Sequence, residues 1–354
     1  MAATEPCGLA HGKREGKTAG VPLTDSPITK AGASLKRILF FMLKLIVSVG
    51  LVAWAFSGEH FQLDRLTLHF READFGLLAG AVALFAVSNL LGAVQWNLLL
   101  RVQEIELSWR EVVSFYFVGV FFNNFLVGNI GGDAIRVYDV RRLTKDGSPA
   151  FAATFLDRFI GLFTLTWFSL AAYFLAPTFP GGRSVLALIL CVTGALSITI
   201  ASTFSHRLSR LGERIVLKLV PVSVGKRITK IRLGILRCRA HLKVLALAAL
   251  VSVGVQLMRV GVHYMVGRSL GLEVSFGYFL VFIPLIAIVA SVPVSFGGIG
   301  VRENSGVLLF GRLGVEGTVA FSMEFIAYLV GLAASLVGGI VFVCRRQGKH
   351  SKIA

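Results

Sequence analysis

Six long apolar runs constrain this chain more than any other feature: Ile38–Phe56, Phe75–Leu100, Phe151–Ala176, Val185–Phe204, Val244–Gly267 and Val319–Val343. About 20 residues of α-helix cross a hydrocarbon core. Within that core only helices and closed barrels pair all of their own backbone amides. The expected fold class is therefore an all-α integral membrane protein. Composition agrees, since 16% of the residues are charged and 55% are hydrophobic, whereas a soluble domain carries about a quarter charged residues. The first run begins only at Ile38, late for a secretory signal peptide, so Ala53-Trp54-Ala55 reads as part of an uncleaved first span rather than a cleavage site.

Two further apolar stretches, Val112–Gly128 and Phe276–Val294, each run into a glycine-rich break and resume as a weakly apolar helix, Asp133–Val140 and Arg302–Leu313. Charge decides how they are placed. The chain holds 36 Lys and Arg against 19 Asp and Glu, a formal net charge of +17, and short basic loops stay cytoplasmic. If both stretches crossed, eight spans would put Arg136, Arg141, Arg142 and Lys145 outside. The segment His206–Lys243, with eleven Lys or Arg and the single acid Glu213, would join them there. If both turn back as re-entrant hairpins, over about residues 112–140 and 276–313, every basic cluster falls inside and the acidic loop around Glu59, Asp64, Glu72 and Asp74 falls outside.

The expectation is thus six transmembrane helices and two re-entrant hairpins in an inner-membrane domain of residues 38–344. It is flanked by cytoplasmic basic tails, 1–37 (disordered) and 345–354, and carries a cytoplasmic basic loop, 206–243. The basic loop, with leucine and isoleucine between its cations, reads as an amphipathic helix on the anionic inner leaflet or as plain positive-inside anchoring. Nucleic acid is not an expected partner, because neither aromatic interleaving nor a reader motif accompanies the charge.

The two breaks share a pattern. Gly131-Gly132-Asp133-Ala134-Ile135-Arg136 and Gly297-Gly298-Ile299-Gly300-Val301-Arg302 both read GG-x-x-x-R. Three spans separate them, so they enter from opposite faces, as in the inverted repeats of transporters. Paired glycines ahead of a helix leave free N–H groups at its N-terminus, which attracts anions. Arg136 and Arg302 add planar forks suited to phosphate.

One reading makes Arg136, Arg302, Asp133, Glu303, Asp157, Arg158, Asn123, Asn124 and Asn129 a lipid-headgroup site shaped by Gly131, Gly132, Gly297, Gly298 and Gly300. The alternative is structural. Asp133 caps its helix and pairs with Arg136, the asparagines satisfy loop amides, and Arg302 pairs with Glu303 or with Glu324 at the external boundary. Asp157 and Arg158 precede 20 uncharged residues and must turn into the bundle, where Arg136 and Asp133 are their expected partners. Arg259 and His263 share one helical face, and a packed histidine is the expectation there. Cys7, Cys191, Cys238 and Cys344 are scattered, so no metal or other cofactor is expected.

Taken together, the GGD-x-x-R break, the Asp-Arg pair at the head of a span, and the late Pro-x-x-x-GG-x-G-x-R-Glu break resemble the lysylphosphatidylglycerol synthase transmembrane-region family of flippase-like proteins. The resemblance runs from about Leu35 to about Arg346, and Gly297–Glu303 (GGIGVRE) is its most specific part. It implies a membrane module that moves a phosphate-bearing phospholipid or lipid-linked headgroup. In multi-domain relatives the module precedes an aminoacyltransferase domain. Eight residues follow Arg346, so a standalone member without that domain is expected. No enzymatic activity is expected of such a module, since no catalytic motif is found. Two other readings stay open: an integral membrane enzyme, for which no paired-acid metal motif is found, and a partner subunit of a cell-envelope lipid synthase. No ATP-binding P-loop occurs, so movement would be passive or ion-coupled.

Overall fold

Small residues set how closely apolar helices can approach, and they draw two long helices, far apart in the chain, into a central pair. The computed structural model describes residues 71–125, 131–175, 182–205, 222–291 and 298–350. Helix α1 is Phe75–Val102 and α7 is Leu242–Ser269. A Cβ at Gly261 would lie 3.2 Å from Leu84, and one at Gly254 would lie 3.7 Å from Leu91. Leu84 precedes Leu91 while Gly261 follows Gly254, so the helices run antiparallel along a seam of leucines over glycines. Asp74 starts α1 by accepting hydrogen bonds from the N–H groups of Gly76 (2.8 Å) and Leu77 (3.2 Å).

Around this pair lie α2 (Trp109–Phe125), α3 (Gly131–Thr144), α4 (Ser148–Leu175), α5 (Gly182–Phe204), α6 (Val222–Cys238), α8 (Phe276–Ser291), α9 (Val301–Phe310) and α10 (Gly317–His350). The packing repeats. Where α2 packs on α3 and on α10, α8 packs on α9 and on α4. Where α1 packs on α4 and α10, α7 packs on α10 and α4. The contacts α3 with α4 and α1 with α2 likewise find counterparts in α9 with α10 and α7 with α8. This exchange suggests internal symmetry between α1–α4 and α7–α10, with α5 and α6 added between the halves.

Among the described residues, four helices are long and apolar enough to cross a membrane: Phe75–Val102, Ser148–Phe174, Thr229–Ser269 and Gly317–Arg345, with Arg183–Thr199 and Phe276–Ser291 shorter. Only 28% to 39% of each long span is buried inside the protein. Side chains such as Phe174, Ile198, Leu250 and Ile340 point outward, as a lipid-facing surface requires and a water-facing one resists. The chain is an all-α, multi-span membrane protein.

The expected run Ile38–Phe56, the tail 1–37, Asn129, Gly297 and His206–Pro221 of the basic loop lie outside the described residues. Two other segments are tied down by packing. One face of α6, in the C-terminal half of the basic loop, packs on α4, burying Ile235 and Cys238, and Gln103 donates to the Gly234 carbonyl at 2.8 Å. An amphipathic pattern specifies that one face is covered without specifying by what. The last helix continues beyond 344 to His350, and Arg345 pairs with Asp139 at 3.1 Å and lies 4.6 Å from the Phe115 ring centroid.

The breaks are tightly built. A Cβ at Gly132 would overlap the Gly119 carbonyl of α2, and Gly298 and Gly300 have φ of +80° and +81°, the left-handed region that favours glycine. Gly132→Val is expected to lower stability by about 3 kcal/mol or more, because it forces two backbones apart; a thermal-unfolding shift of the detergent-solubilised protein measures it. At the α3–α4 turn, the Ser148 N–H (3.0 Å) and then the Lys230 ammonium (2.9 Å) hold Asp146 below the usual carboxylate range. The turn is therefore stabilised above the ordinary aspartate pKa and loosens as pH falls through the depressed value. The protection factor of the Ser148 amide should drop in that acid window and lose its pH dependence in Asp146→Asn.

Candidate functional site

The first break positions charge deep in the protein. Asn123 at the end of α2 accepts the Gly132 N–H at 2.9 Å, and Asn124 donates to Ser335 Oγ on α10 at 2.9 Å. Both asparagines thus tie elements together. One turn into α3, Arg136 is 3% exposed. Its guanidinium pairs with Asp133 and lies 3.4 Å from Asp157 on α4, while Arg158 donates through Nε to the other Asp133 oxygen at 2.6 Å. The Tyr116 and Trp96 rings flank Arg136, their centroids 4.7 Å and 5.5 Å from its central carbon. Trp96 is held by a 3.0 Å bond to Thr154, and Gln95 donates to the Asp157 carbonyl at 3.2 Å. Two acids and two arginines therefore close into a neutral network joining α3 to α4, the pairing expected for Asp157 and Arg158.

The second break is built differently. Glu303 reaches back to accept the Gly300 N–H at 2.6 Å, securing the start of α9. Arg302 makes no ion pair with either glutamate. It lies 5.6 Å from the Tyr328 ring centroid on α10 and has no salt bridge among the described residues. Glu324 is fully buried in the protein, 3.4 Å from His263 Nδ1 on α7. Aromatic contacts among Phe279, Phe282 and Phe310 pack α8 against α9 with ring centroids 5.0 Å and 5.1 Å apart.

Both breaks open on one cavity of about 330 Å³. Arg136 of α3, Arg158 of α4, Arg259 of α7 and Arg302 of α9 all line it, with His263 and the single acid Asp157. Asn123, Asn124, Gln95, Gln256, Tyr116 and Tyr328 supply neutral polar groups, and Leu162, Val260 and Ile283 an apolar wall. Asp133 and Glu303 are buried behind the lining, 8% and 1% exposed. Such a wall favours an anion, because Asp157 is already engaged with Arg136 while Arg259 and Arg302 form no salt bridge among the described residues. The volume suits a small polar group. Among the described residues, no group of three or more His, Cys, Asp and Glu is disposed to hold a metal ion.

A family model described as the lysylphosphatidylglycerol synthase TM region matches residues 41–340. The chain belongs to that family. It is also 25% identical over 340 residues, covering 88% of this chain and 98% of the relative, to UPF0104 membrane protein PH1989 of Pyrococcus horikoshii. No solved structure matches it significantly.

The family motifs bring Arg136, Arg158 and Arg302 to one cavity. Arg259 and His263 complete the wall without belonging to either motif; their one sequence signal is an i, i+4 polar pair inside an apolar run. Removing one member of a buried charge network leaves its partners uncompensated, at about 3–5 kcal/mol. Arg136→Ala should therefore lower the unfolding temperature markedly, and adding Asp157→Asn should recover part of the loss. Arg302→Ala should shift it little. Thermal unfolding of the three purified variants checks this contrast.

Proposed function

We propose that the protein binds a phosphate-bearing phospholipid or lipid-linked headgroup in this cavity and passes it between leaflets while the acyl chains stay in lipid. The observation that carries the reading is the convergence of arginines from α3, α4, α7 and α9 on one cavity inside a bundle whose outer surface is apolar. Arg302, Arg259 and the half-exposed Arg158 are the headgroup ligands in this reading; Arg136, locked between Asp133 and Asp157, is a positioning residue. The repeated packing supports an inverted pair of re-entrant hairpins, α2–α3 and α8–α9, within a six-span frame in the inner membrane. Both termini are then cytoplasmic, and the basic segments lie against the anionic leaflet. No transferase chemistry is assigned to the module.

The test is reconstitution of the purified full chain in vesicles of phosphatidylethanolamine and phosphatidylglycerol doped with fluorescent lipid, followed by quenching of the outer leaflet. Protein should make inner-leaflet label accessible. Arg302→Ala and Arg259→Ala, each removing a charged hydrogen-bonding group worth about 1.5–3 kcal/mol, should slow this about tenfold or more without changing thermal stability. Accessibility unaltered across phosphatidylglycerol, phosphatidylethanolamine and polyprenyl-phosphate labels would overturn the proposal.

A further inference from the structure

Beside the cavity, Glu324 presents a buried carboxyl group. It is 0% exposed, and among the described residues neither carboxylate oxygen has a hydrogen-bond partner. His263 Nδ1, at 3.4 Å, is within ion-pair range yet also makes no hydrogen bond. On the facing helix α9, Gly306 is seated so closely that a Cβ there would lie 2.6 Å from Glu324 Cγ. One turn before it, Glu303 is buried with Oε1 unpartnered. An ionised carboxylate stripped of water and hydrogen bonds is costly. The smallest ligand that relieves it is a proton, and the described residues offer no metal cluster.

We propose that His263 and Glu324 form a proton-binding dyad whose occupancy is linked to anion binding in the cavity, a proposal that rests on the headgroup reading above. The balance is one proton. Neutral imidazole and carboxylate carry one negative charge; taking up a proton gives either imidazolium with carboxylate or imidazole with carboxylic acid, both neutral overall. His263 lines the cavity and Glu324 does not, so the imidazole is the route between cavity and carboxyl.

The ionisable groups around the dyad determine what the proton changes. Helix α7 contributes Arg259 one turn from His263, α4 contributes Asp157 and Arg158, α9 contributes Arg302 and Glu303, α10 contributes Tyr328, and α2 contributes Tyr116, which packs on Arg136 of α3. From α1 come only neutral groups, Asn89 and Gln95. In the deprotonated state, Glu324 and Glu303 place negative charge behind Arg302 and Arg259 and compete with an incoming anion for them. Protonation removes that competition. By reciprocity, anion binding then draws a proton in.

Two measurements on the purified full chain test this. Infrared spectra across a pH series should contain a protonated-carboxyl band that titrates in the wild type and is lost in Glu324→Gln. Dihexanoyl phosphatidylglycerol should bind up to about tenfold more tightly per unit fall in pH between the linked pKa values, the slope for one proton. It should also take up protons from weakly buffered solution. Glu324→Gln and His263→Gln should each flatten that slope. Absence of a titrating band assigned to Glu324 overturns the dyad whatever the lipid does. Binding without proton uptake or pH slope overturns the linkage and leaves the headgroup reading standing. A titrating band with no binding of this lipid or of polyprenyl phosphate at any pH defeats the headgroup reading, and the linkage with it.

Discussion

Charge buried in a membrane bundle survives only where protein groups pair it, and here one network beside the first break does so. Arg136 is the centre of it. The guanidinium joins the start of α3 to the head of α4 through Asp133 and Asp157, lies beside the Tyr116 and Trp96 rings, and holds the start of α3 against α1 and α2. Gly119 leaves room for its stem: a Cβ there would lie 2.5 Å from Arg136 Cγ. The Gly119–Gly132 crossing and the salt network are therefore one device. The crossing brings the break close enough for Arg136 to be enclosed, and enclosure makes the pairing with both acids obligatory.

The corresponding place in the second half has the same helix packing and the opposite electrostatic state. Its arginine, Arg302, faces the cavity over a tyrosine, its glutamate caps α9, and the acid on the following long helix, Glu324, meets a histidine from α7 in place of an arginine. One half closes its charges on each other; the other keeps them separate. Packing symmetry with electrostatic asymmetry concentrates adaptable chemistry on the α7, α9 and α10 side of the cavity and rigidity on the α3 and α4 side.

Much of this was legible in the sequence for one reason: charge in hydrocarbon is expensive enough that few arrangements are tolerable. Asp157 and Arg158, at the head of a long uncharged run, needed Asp133 and Arg136 as partners, and the structure pairs them. Helix positions followed from apolar runs to within a few residues, as with Val244–Gly267 against Leu242–Ser269. What was not legible depended on which helices meet. Glu324 lies near the start of its apolar run and so resembled a boundary residue; only the docking of α9 and α7 buries it. His263 resembled a packed histidine because its partner is on another helix. The docking of α6 and the pairing of Arg345 with Asp139 were hidden likewise: a count of positive charges ranks loops by side of the membrane and is blind to an acid waiting on a neighbouring helix.

The arrangement also bears on why a cavity for anions would contain so few free cations. Four arginines left unpaired in a space of about 330 Å³ would hold a phosphate too tightly to release it, and turnover requires a site that is favourable without being deep. Closing Arg136 on Asp133 and Asp157 removes one cation from that competition while keeping its geometric role. Arg158 is shared with Asp133 and is tempered in the same way. Arg259 and Arg302 remain, and on the proposed reading their pull is moderated by Glu303 and Glu324 behind them. A buried acid whose charge can be cancelled by one proton is then the natural place to switch between holding and releasing, because it alters the field at the headgroup without moving any ligand.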